Sequence, residues 1–422
     1  MDLNIRIMPT RSVTGHIAAP PSKAQTHRAF FTALLAKGST RIINPLRCDD
    51  TEATERAVAA LGARISGFGT RVVSSDGTLK PPREMIDCGE SGVTMRFVIP
   101  ILSLTGSETG LKVKEGLIRR PIEPLADALE QLNVSLTVKD RIVRVRGGPA
   151  EGGVVTVRGD VSSQFISGLL LAGTLMRRGI KLELLSPLES RNYVLLTIET
   201  LRRHGVYVNV NRDLSHFEVP KGQKPLPTTH RISGDYSSAS YHLSAAAITG
   251  SSLTVSNLLQ TLEPDSAISD LLSRMGVRTV ANRNSIIVHG GKLKATDVDI
   301  RECPDLGPII AVLGCYAEGK TRMTGARRLR YKESDRLASM RSELVSLGAD
   351  VTETEDGLIL NGPVMLKGGS VHAYNDHRIA MALSVAALGA EKEIVIEGAE
   401  CVNKSYPNFF EDLRSIGVAV VG

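Results

Sequence analysis

The chain predicts an α/β fold in two similar domains, each made of three copies of one supersecondary unit. Three observations lead there. A helix ending in apolar residues, then Gly or Asn, then Val or Ala, recurs at Gly62, Asn133, Gly205, Gly276, Gly348 and Gly417, spaced 69 to 72 residues apart. A fixed period of this kind marks one unit used repeatedly. Stretches of strand period alternate with stretches of helix period inside each copy. At 422 residues the chain is also too long for a single core.

Each copy is read as strand-helix-strand-helix-strand. Polar clusters open the first helix: Pro21-Ser22-Lys23, Glu90-Ser91-Gly92, Ser162-Ser163-Gln164, Ser237-Ser238-Ala239-Ser240, Pro304-Asp305-Leu306 and Asn375-Asp376-His377-Arg378. Four of these helices run into Gly38, Gly179, Gly250 or Gly319, which suit the position after a helix end. Alternating strands follow, such as Ser39 to Ile43 and Ser251 to Val255. A second, amphipathic helix comes next, as in Asp50 to Leu61 and Leu125 to Leu132. The first residues, Met1 to Ile7, alternate like a strand and hold no signal-peptide run. Pro225-Leu226-Pro227 interrupts the pattern and places the domain break nearby.

Composition narrows the function. Hydrophobic content of 42% with 23% charged residues describes an ordinary water-soluble protein. Fifty-one Lys and Arg against 45 Asp and Glu give +6, a mild bias towards anionic partners. Five scattered cysteines without Cys-x-x-Cys spacing argue against a disulfide framework or a zinc site, and for a reducing cytoplasm. No apolar stretch approaches a membrane span. Aromatic content of 4%, no Trp and no basic tracts fit nucleic acid poorly.

The helix starts carry the chemistry. Ser, Thr, Asp and Asn there are N-caps in the first instance. Lys23, Arg28 and Arg378 are less ordinary, because the helix dipole disfavours a cation in the first turn by about 0.3–1 kcal/mol. An anion shared by cation and helix end explains them. Lys332 and Arg336, four apart, are read as one helix face, and Arg120 and Lys404 add charge beside Pro121 and Ser405. Together with Ser162, Ser163 and Gln164 these groups suit two small phosphorylated or carboxylated ligands. Asp305, a carboxylate among cations, is the candidate general base. Gly314 to Thr321 spells a Walker A loop, but it closes an apolar helix and precedes a strand, the reverse of the order a phosphate loop needs. Gly67-Phe68-Gly69 lacks the third glycine of a dinucleotide fingerprint.

Several of these segments are long enough to be specific. Ser22-Lys23 with Arg28, Gly89 to Arg96, Arg120-Pro121, Ser162 to Phe165, Gly234 to Ser240, Lys332 to Arg336, Asn375 to Met381 and Lys404 stand in the order seen in one family. Over essentially its whole length the chain resembles the EPSP synthase (3-phosphoshikimate 1-carboxyvinyltransferase) family. The resemblance implies two inside-out α/β barrel domains, each of three βαβαββ units, with the active site in the cleft between them. It implies domains of 16–231 and of 1–15 with 232–422, the first mainly on the shikimate 3-phosphate side, the second holding much of the phosphoenolpyruvate side and the catalytic Asp. The implied reaction moves the enolpyruvyl group of phosphoenolpyruvate to the 5-hydroxyl of shikimate 3-phosphate. It runs by addition and elimination through a tetrahedral intermediate, with no metal or organic cofactor, in a cytoplasmic monomer.

Matched by position, Lys23, Arg28, Ser162, Ser163, Gln164, Ser190, Tyr193, Asp305 and Lys332 are implied contacts of shikimate 3-phosphate. Lys23, Gly92, Arg120, Gln164, Arg336, Arg378 and Lys404 are implied contacts of phosphoenolpyruvate. Asp305, Glu333 and Lys23 are the implied catalytic groups, and glyphosate is an implied inhibitor competing with the donor beside Gly92. Three residues depart from the family's commonest pattern: Ala24 in place of Ser, Glu90 in place of Asn, and Arg328 in place of Asn. With Ala24, Arg28 and Thr26 carry more of the shikimate carboxylate. A related UDP-N-acetylglucosamine enolpyruvyl transferase shares fold and donor, but commonly has a Cys before the Arg-Pro pair, and residues 103–119 contain none. A non-enzymatic anion-binding module is the remaining alternative.

Overall fold

The computed structural model describes residues 3–422. Met1 and Asp2, the start of the expected first strand, lie outside the described residues, and the strand itself runs Ile5–Ile7. The chain divides into two compact bodies, one running up to Pro20 and resuming at Ser233–Gly422, the other Pro21–Ile232. Each has its own continuous apolar core.

The described residues form six four-stranded sheets with one shared order. In the second unit, Ile86–Gly89 pairs in parallel with Thr109–Val113, which pairs antiparallel with Ile142–Gly147, itself antiparallel to Val134–Lys139. The third and fifth units repeat this from local strands. The other three borrow. Thr229–Arg231 supplies the outer parallel strand of the first unit, Gly15–Ala18 that of the fourth, and Ile5–Ile7 the third strand of the sixth. The strand Gly15–Ala18 thus belongs with Ser252–Ser256, which carries the first crossing to Pro20–Pro21, beyond the expected residue 15. Similarly, Thr229–Arg231 pairs with Gly38–Ile43, so the second crossing comes after Ile232, several residues past Pro225-Leu226-Pro227.

The first helix of each unit is buried nearly all round, and the sheets show the half-exposed alternation of an outer wall. A helix apolar on every face is stable only in an interior. Helices therefore fill the middle of each body and sheets surround them, the inside-out arrangement. Second helices such as Asp49–Ala60 bury one stripe.

The recurrent phrase is a helix stop. Gly62, Asn133, Gly205, Gly276, Gly348 and Gly417 all have left-handed φ, from +59° to +114°. In the glycine copies the next N–H reaches back five residues, Ala63 to Val58, Val206 to Leu201, Val277 to Leu272, Ala349 to Leu344 and Val418 to Leu413. This bond closes the helix, and the following Val or Ala packs on the last turn. Only Gly, or Asn at some cost, takes that conformation readily. The Walker-like segment resolves the same way. A Cβ on Gly314 would stand 3.1 Å from Leu360, Gly319 opens the strand Gly319–Thr324 at φ +109°, and Lys320 is exposed on that strand.

Candidate active site

In the body formed by residues 21–232, Ser22 caps the helix Lys23–Leu35 by accepting from the Gln25 N–H at 3.2 Å. Lys23 is its first residue, and its Nζ lies 2.8 Å from Asp50 Oδ2. The protein itself thus supplies one anion for this helix start, where an external one was expected. Arg28, 2% exposed, donates through Nε to Thr197 Oγ1 at 2.8 Å and through Nη1 and Nη2 to the carbonyls of Ala24 and Tyr193. The rings of Phe97 and Tyr193 flank it at 5.6 and 5.8 Å. Arg28 is the sixth residue of its helix, past the first turn expected for it, and ties that helix to Arg191–Arg203. Ser190, which precedes that second helix, is buried at φ +54°, a conformation costing a non-glycine roughly 1–2 kcal/mol.

The helix Gly92–Leu102 begins at the N-cap Ser91. A Cβ on Gly92 would stand 2.7 Å from Arg120 Nη1, so the absent side chain is what lets the guanidinium sit there. Arg120 is buried between the short helix Glu115–Ile118 and the helix Glu123–Glu130. Pro124, not Pro121, occupies the first turn of the latter. Ser162 caps Ser163–Gly173, accepting from the Gln164 N–H at 3.3 Å. Gln164 Oε1 accepts from Arg96 Nη1 at 2.8 Å, and Arg96 Nη2 donates to the Pro121 carbonyl at 3.1 Å. Arg96 thereby fixes which end of the amide faces away.

Hydroxyls connect these pieces. Ser91 Oγ lies 2.7 Å from Thr94 Oγ1, which lies 2.6 Å from Thr54 Oγ1, which lies 2.7 Å from His27 Nδ1. Thr94 also donates to the Asp50 carbonyl at 3.3 Å. Burial, then Lys23 and Arg28, hold the His27 imidazole neutral well below its usual range. The chain of hydroxyls sets the start of Gly92's helix against Asp50, and hence against Lys23.

In the other body, Asp305 stands on a single turn, Pro304–Leu306, leading straight into the buried helix Gly307–Tyr316. Its Oδ1 accepts from Arg336 Nη1 at 3.0 Å, its Oδ2 accepts from Arg378 Nη2 at 3.0 Å, and Lys332 Nζ lies 3.6 Å away. Arg336 also donates to Glu333 Oε2 at 2.7 Å and, through Nε, to Asp376 Oδ2 at 2.8 Å. Arg378 Nη1 donates to the Ser237 hydroxyl, and Lys404 Nζ to the Asn375 carbonyl. Lys332, Arg336 and Arg378 thus form one ion-pair network with Asp305, Glu333 and Asp376.

Burial alone would raise the Asp305 pKa, but Arg378, Lys332 and Arg336 outweigh it and hold the carboxyl well below its usual range. Burial also lowers Lys332 to about 8, against the pull of Asp305. Lys332 does not share a helix face with Arg336, as their spacing suggested. It follows the turn Arg327–Tyr331, and the helix Arg336–Ser346 starts only after Asp335 caps it. Both reach Asp305 because the loop folds back. Lys404 likewise ends the turn Ala399–Lys404 rather than opening a helix. The helix Tyr236–Ile248 starts just ahead of its serine cluster, because Asp235 is the cap.

Known proteins share this architecture. A family model described as EPSP synthase (3-phosphoshikimate 1-carboxyvinyltransferase) matches residues 7–413. The chain belongs to the EPSP synthase family. A 3-phosphoshikimate 1-carboxyvinyltransferase of Methanocorpusculum labreanum is 40% identical over 420 residues, covering 98% of this chain and 99% of its own. One from Thermococcus kodakarensis is 41% identical over 415 residues, covering 97% and 99%. Among solved structures, an EPSP synthase from Acinetobacter baumannii is similar with a TM-score of 0.83 at 26% identity, over 100% of each chain. The match favours the EPSP synthase reading over the sugar-nucleotide relative weighed on sequence. Within this EPSP synthase family member, no helix among the described residues is long and apolar enough to cross a membrane.

Two groups escaped the sequence reading. In sequence Asp50 reads as part of an amphipathic helix with an acidic first turn, and nothing local sets it beside Lys23. Asp376 reads in sequence only as part of a helix start. It is fully buried, caps His377–Ala386 and bonds Arg336.

Proposed function

We propose that this chain transfers the enolpyruvyl group of phosphoenolpyruvate to the 5-hydroxyl of shikimate 3-phosphate, releasing phosphate, in aromatic amino-acid biosynthesis. Asp305, bridging Arg336 and Arg378, is the observation that supports this most. A carboxylate held so acidic is a poor base until an anion shares its arginines. When the donor's charged groups draw on Arg336, Arg378 and Lys404, the restraint on Asp305 weakens and its basicity rises. Asp305 then accepts the 5-hydroxyl proton as the oxygen adds to the donor carbon.

The other roles follow the same chemistry. Glu333 handles the proton at the methylene carbon, and Lys23 offsets charge on the departing phosphate. Arg28, Ser162, Ser163, Ser190, Tyr193 and Lys332 hold the acceptor, and Gly92, Arg120 and Gln164 serve the donor. Preorganised charges of this kind do most where water is excluded. We further propose a cytoplasmic monomer.

Phosphate release from phosphoenolpyruvate, with shikimate 3-phosphate or UDP-N-acetylglucosamine offered as acceptor, tests the reading. Turnover is expected with the shikimate acceptor; turnover with the sugar nucleotide alone sinks it. The donor side has its own check in Gly92→Ala. The added methyl meets the far end of a flexible side chain, so the fold tolerates it and Arg120 moves. The KM for phosphoenolpyruvate should rise roughly tenfold, the loss of about one charge-assisted hydrogen bond, with weaker glyphosate inhibition and an unchanged melting midpoint. An unchanged KM and inhibition constant would remove Arg120 from the donor contacts.

A further inference from the structure

The loop ahead of the helix His377–Ala386 holds two consecutive non-glycine residues in left-handed backbone, Tyr374 at φ +53° and Asn375 at φ +52°. Such residues are uncommon singly and cost roughly 1–3 kcal/mol each, so the surroundings must impose them. The turn closes on its own bond, Asp376 N–H to the Ala373 carbonyl at 2.8 Å, and is braced from the neighbouring helix by Glu343. Glu343 is buried on Arg336–Ser346, about two turns past Arg336. Its Oε1 accepts from the Tyr374 hydroxyl at 2.5 Å, and its Oε2 accepts from the His372 N–H at 3.2 Å.

What the bent loop delivers is two contacts to cations, Lys404 and Arg336, and the cap of the helix that carries Arg378. The Asn375 carbonyl accepts from Lys404 Nζ. The Asp376 carboxylate accepts from Arg336 Nε at 2.8 Å. Asp376 Oδ1 also accepts from the Arg378 N–H at 3.0 Å, capping the helix whose second residue is Arg378. A loop in ordinary extended backbone would turn the Asn375 carbonyl and the Asp376 side chain elsewhere. Arg336, Arg378 and Lys404 would then lose their common reference.

We infer that Glu343 and Tyr374 are positioning residues for the donor-binding cations Arg336, Arg378 and Lys404, acting through the left-handed turn at Tyr374 and Asn375. The inference rests on the donor reading given above. Neither residue touches substrate in this assignment; each acts through the loop.

Steady-state kinetics on the full chain test it, with Tyr374→Phe, Glu343→Gln and Arg378→Lys measured side by side. Tyr374→Phe keeps the ring and removes only the hydroxyl. It should raise the KM for phosphoenolpyruvate roughly tenfold, leaving kcat and the KM for shikimate 3-phosphate within about twofold. Glu343→Gln keeps both contacts only by reversing one, its amide N–H donating to the Tyr374 oxygen, and should shift the same constant in the same direction by a smaller factor. A merely structural role would lower the melting midpoint without separating the two substrates. Equal rises in both KM values, or an unchanged donor KM beside a raised one in Arg378→Lys, overturn the positioning role and leave the donor reading standing. An unchanged donor KM in all three variants overturns the donor reading, and the inference with it.

Discussion

Asp305→Ala is expected to reduce turnover by roughly 10²–10⁴-fold, the range a positioned general base contributes, while anionic ligands bind as tightly as before or more tightly. The direction follows from the network. With Asp305 removed, Arg336, Arg378 and Lys332 keep their charge and lose the carboxylate that occupies them at 3.0, 3.0 and 3.6 Å. An incoming carboxylate or phosphate then no longer competes with Asp305 for them. Equilibrium titration of phosphoenolpyruvate and shikimate 3-phosphate, set beside single-turnover rates, checks both halves of the prediction. Parallel losses in binding and rate would demote Asp305 from base to ligand contact.

The same carboxyl fixes a pH dependence. Its folded pKa lies well below the unfolded value, so its ionisation favours the fold above the usual carboxylate range. That contribution is lost only as the pH falls through the depressed folded value. The unliganded enzyme should therefore keep Asp305 ionised to strongly acidic pH. On the alkaline side Lys332, lowered to about 8, discharges first among the network's cations.

Periodicity exposed the architecture because its signals are local. A left-handed residue at each helix stop must be Gly or Asn, so Gly62, Gly205, Gly276, Gly348 and Gly417 show the repeat to anyone counting. The all-apolar run Ile309 to Leu313 announces an interior helix for the same reason. Borrowed strands leave no such mark. Nothing in Gly15–Ala18 or Thr229–Arg231 says which sheet each joins, since the pairing is settled by partners more than 180 residues away. The site divides along the same line. Lys23 and Arg378 stand out in sequence as cations set against a helix dipole, whereas the four-residue spacing of Lys332 and Arg336 does not reveal that a loop, not a helix face, brings them together. Buried carboxylates that serve other side chains, Asp50, Glu343 and Asp376, look in sequence like caps and surface charge.

Asp376→Ala should be the most destabilising single change in its body. Arg336, 1% exposed, depends on Asp376 through Nε at 2.8 Å and Nη2 at 3.3 Å. Removing one partner of a buried ion pair costs about 3–5 kcal/mol, because the remaining charge stays buried. The lost N-cap adds roughly 0.5–2 kcal/mol. Glu333 and Asp305 still face Arg336, which argues for the lower end of the sum. For a body of this size that corresponds to a melting midpoint lower by about 10 °C. Asp376→Asn separates the terms, since an amide oxygen can still cap His377–Ala386 but brings no charge to Arg336. It should recover the cap and leave most of the ion-pair loss. Thermal unfolding of both variants beside Arg336→Met/Asp376→Ala decides the matter. If the double variant is more stable than Asp376→Ala alone, the loss comes from an uncompensated guanidinium. If it is less stable, Arg336 is held chiefly by Glu333 and Asp305, and Asp376 matters to the fold only as a cap.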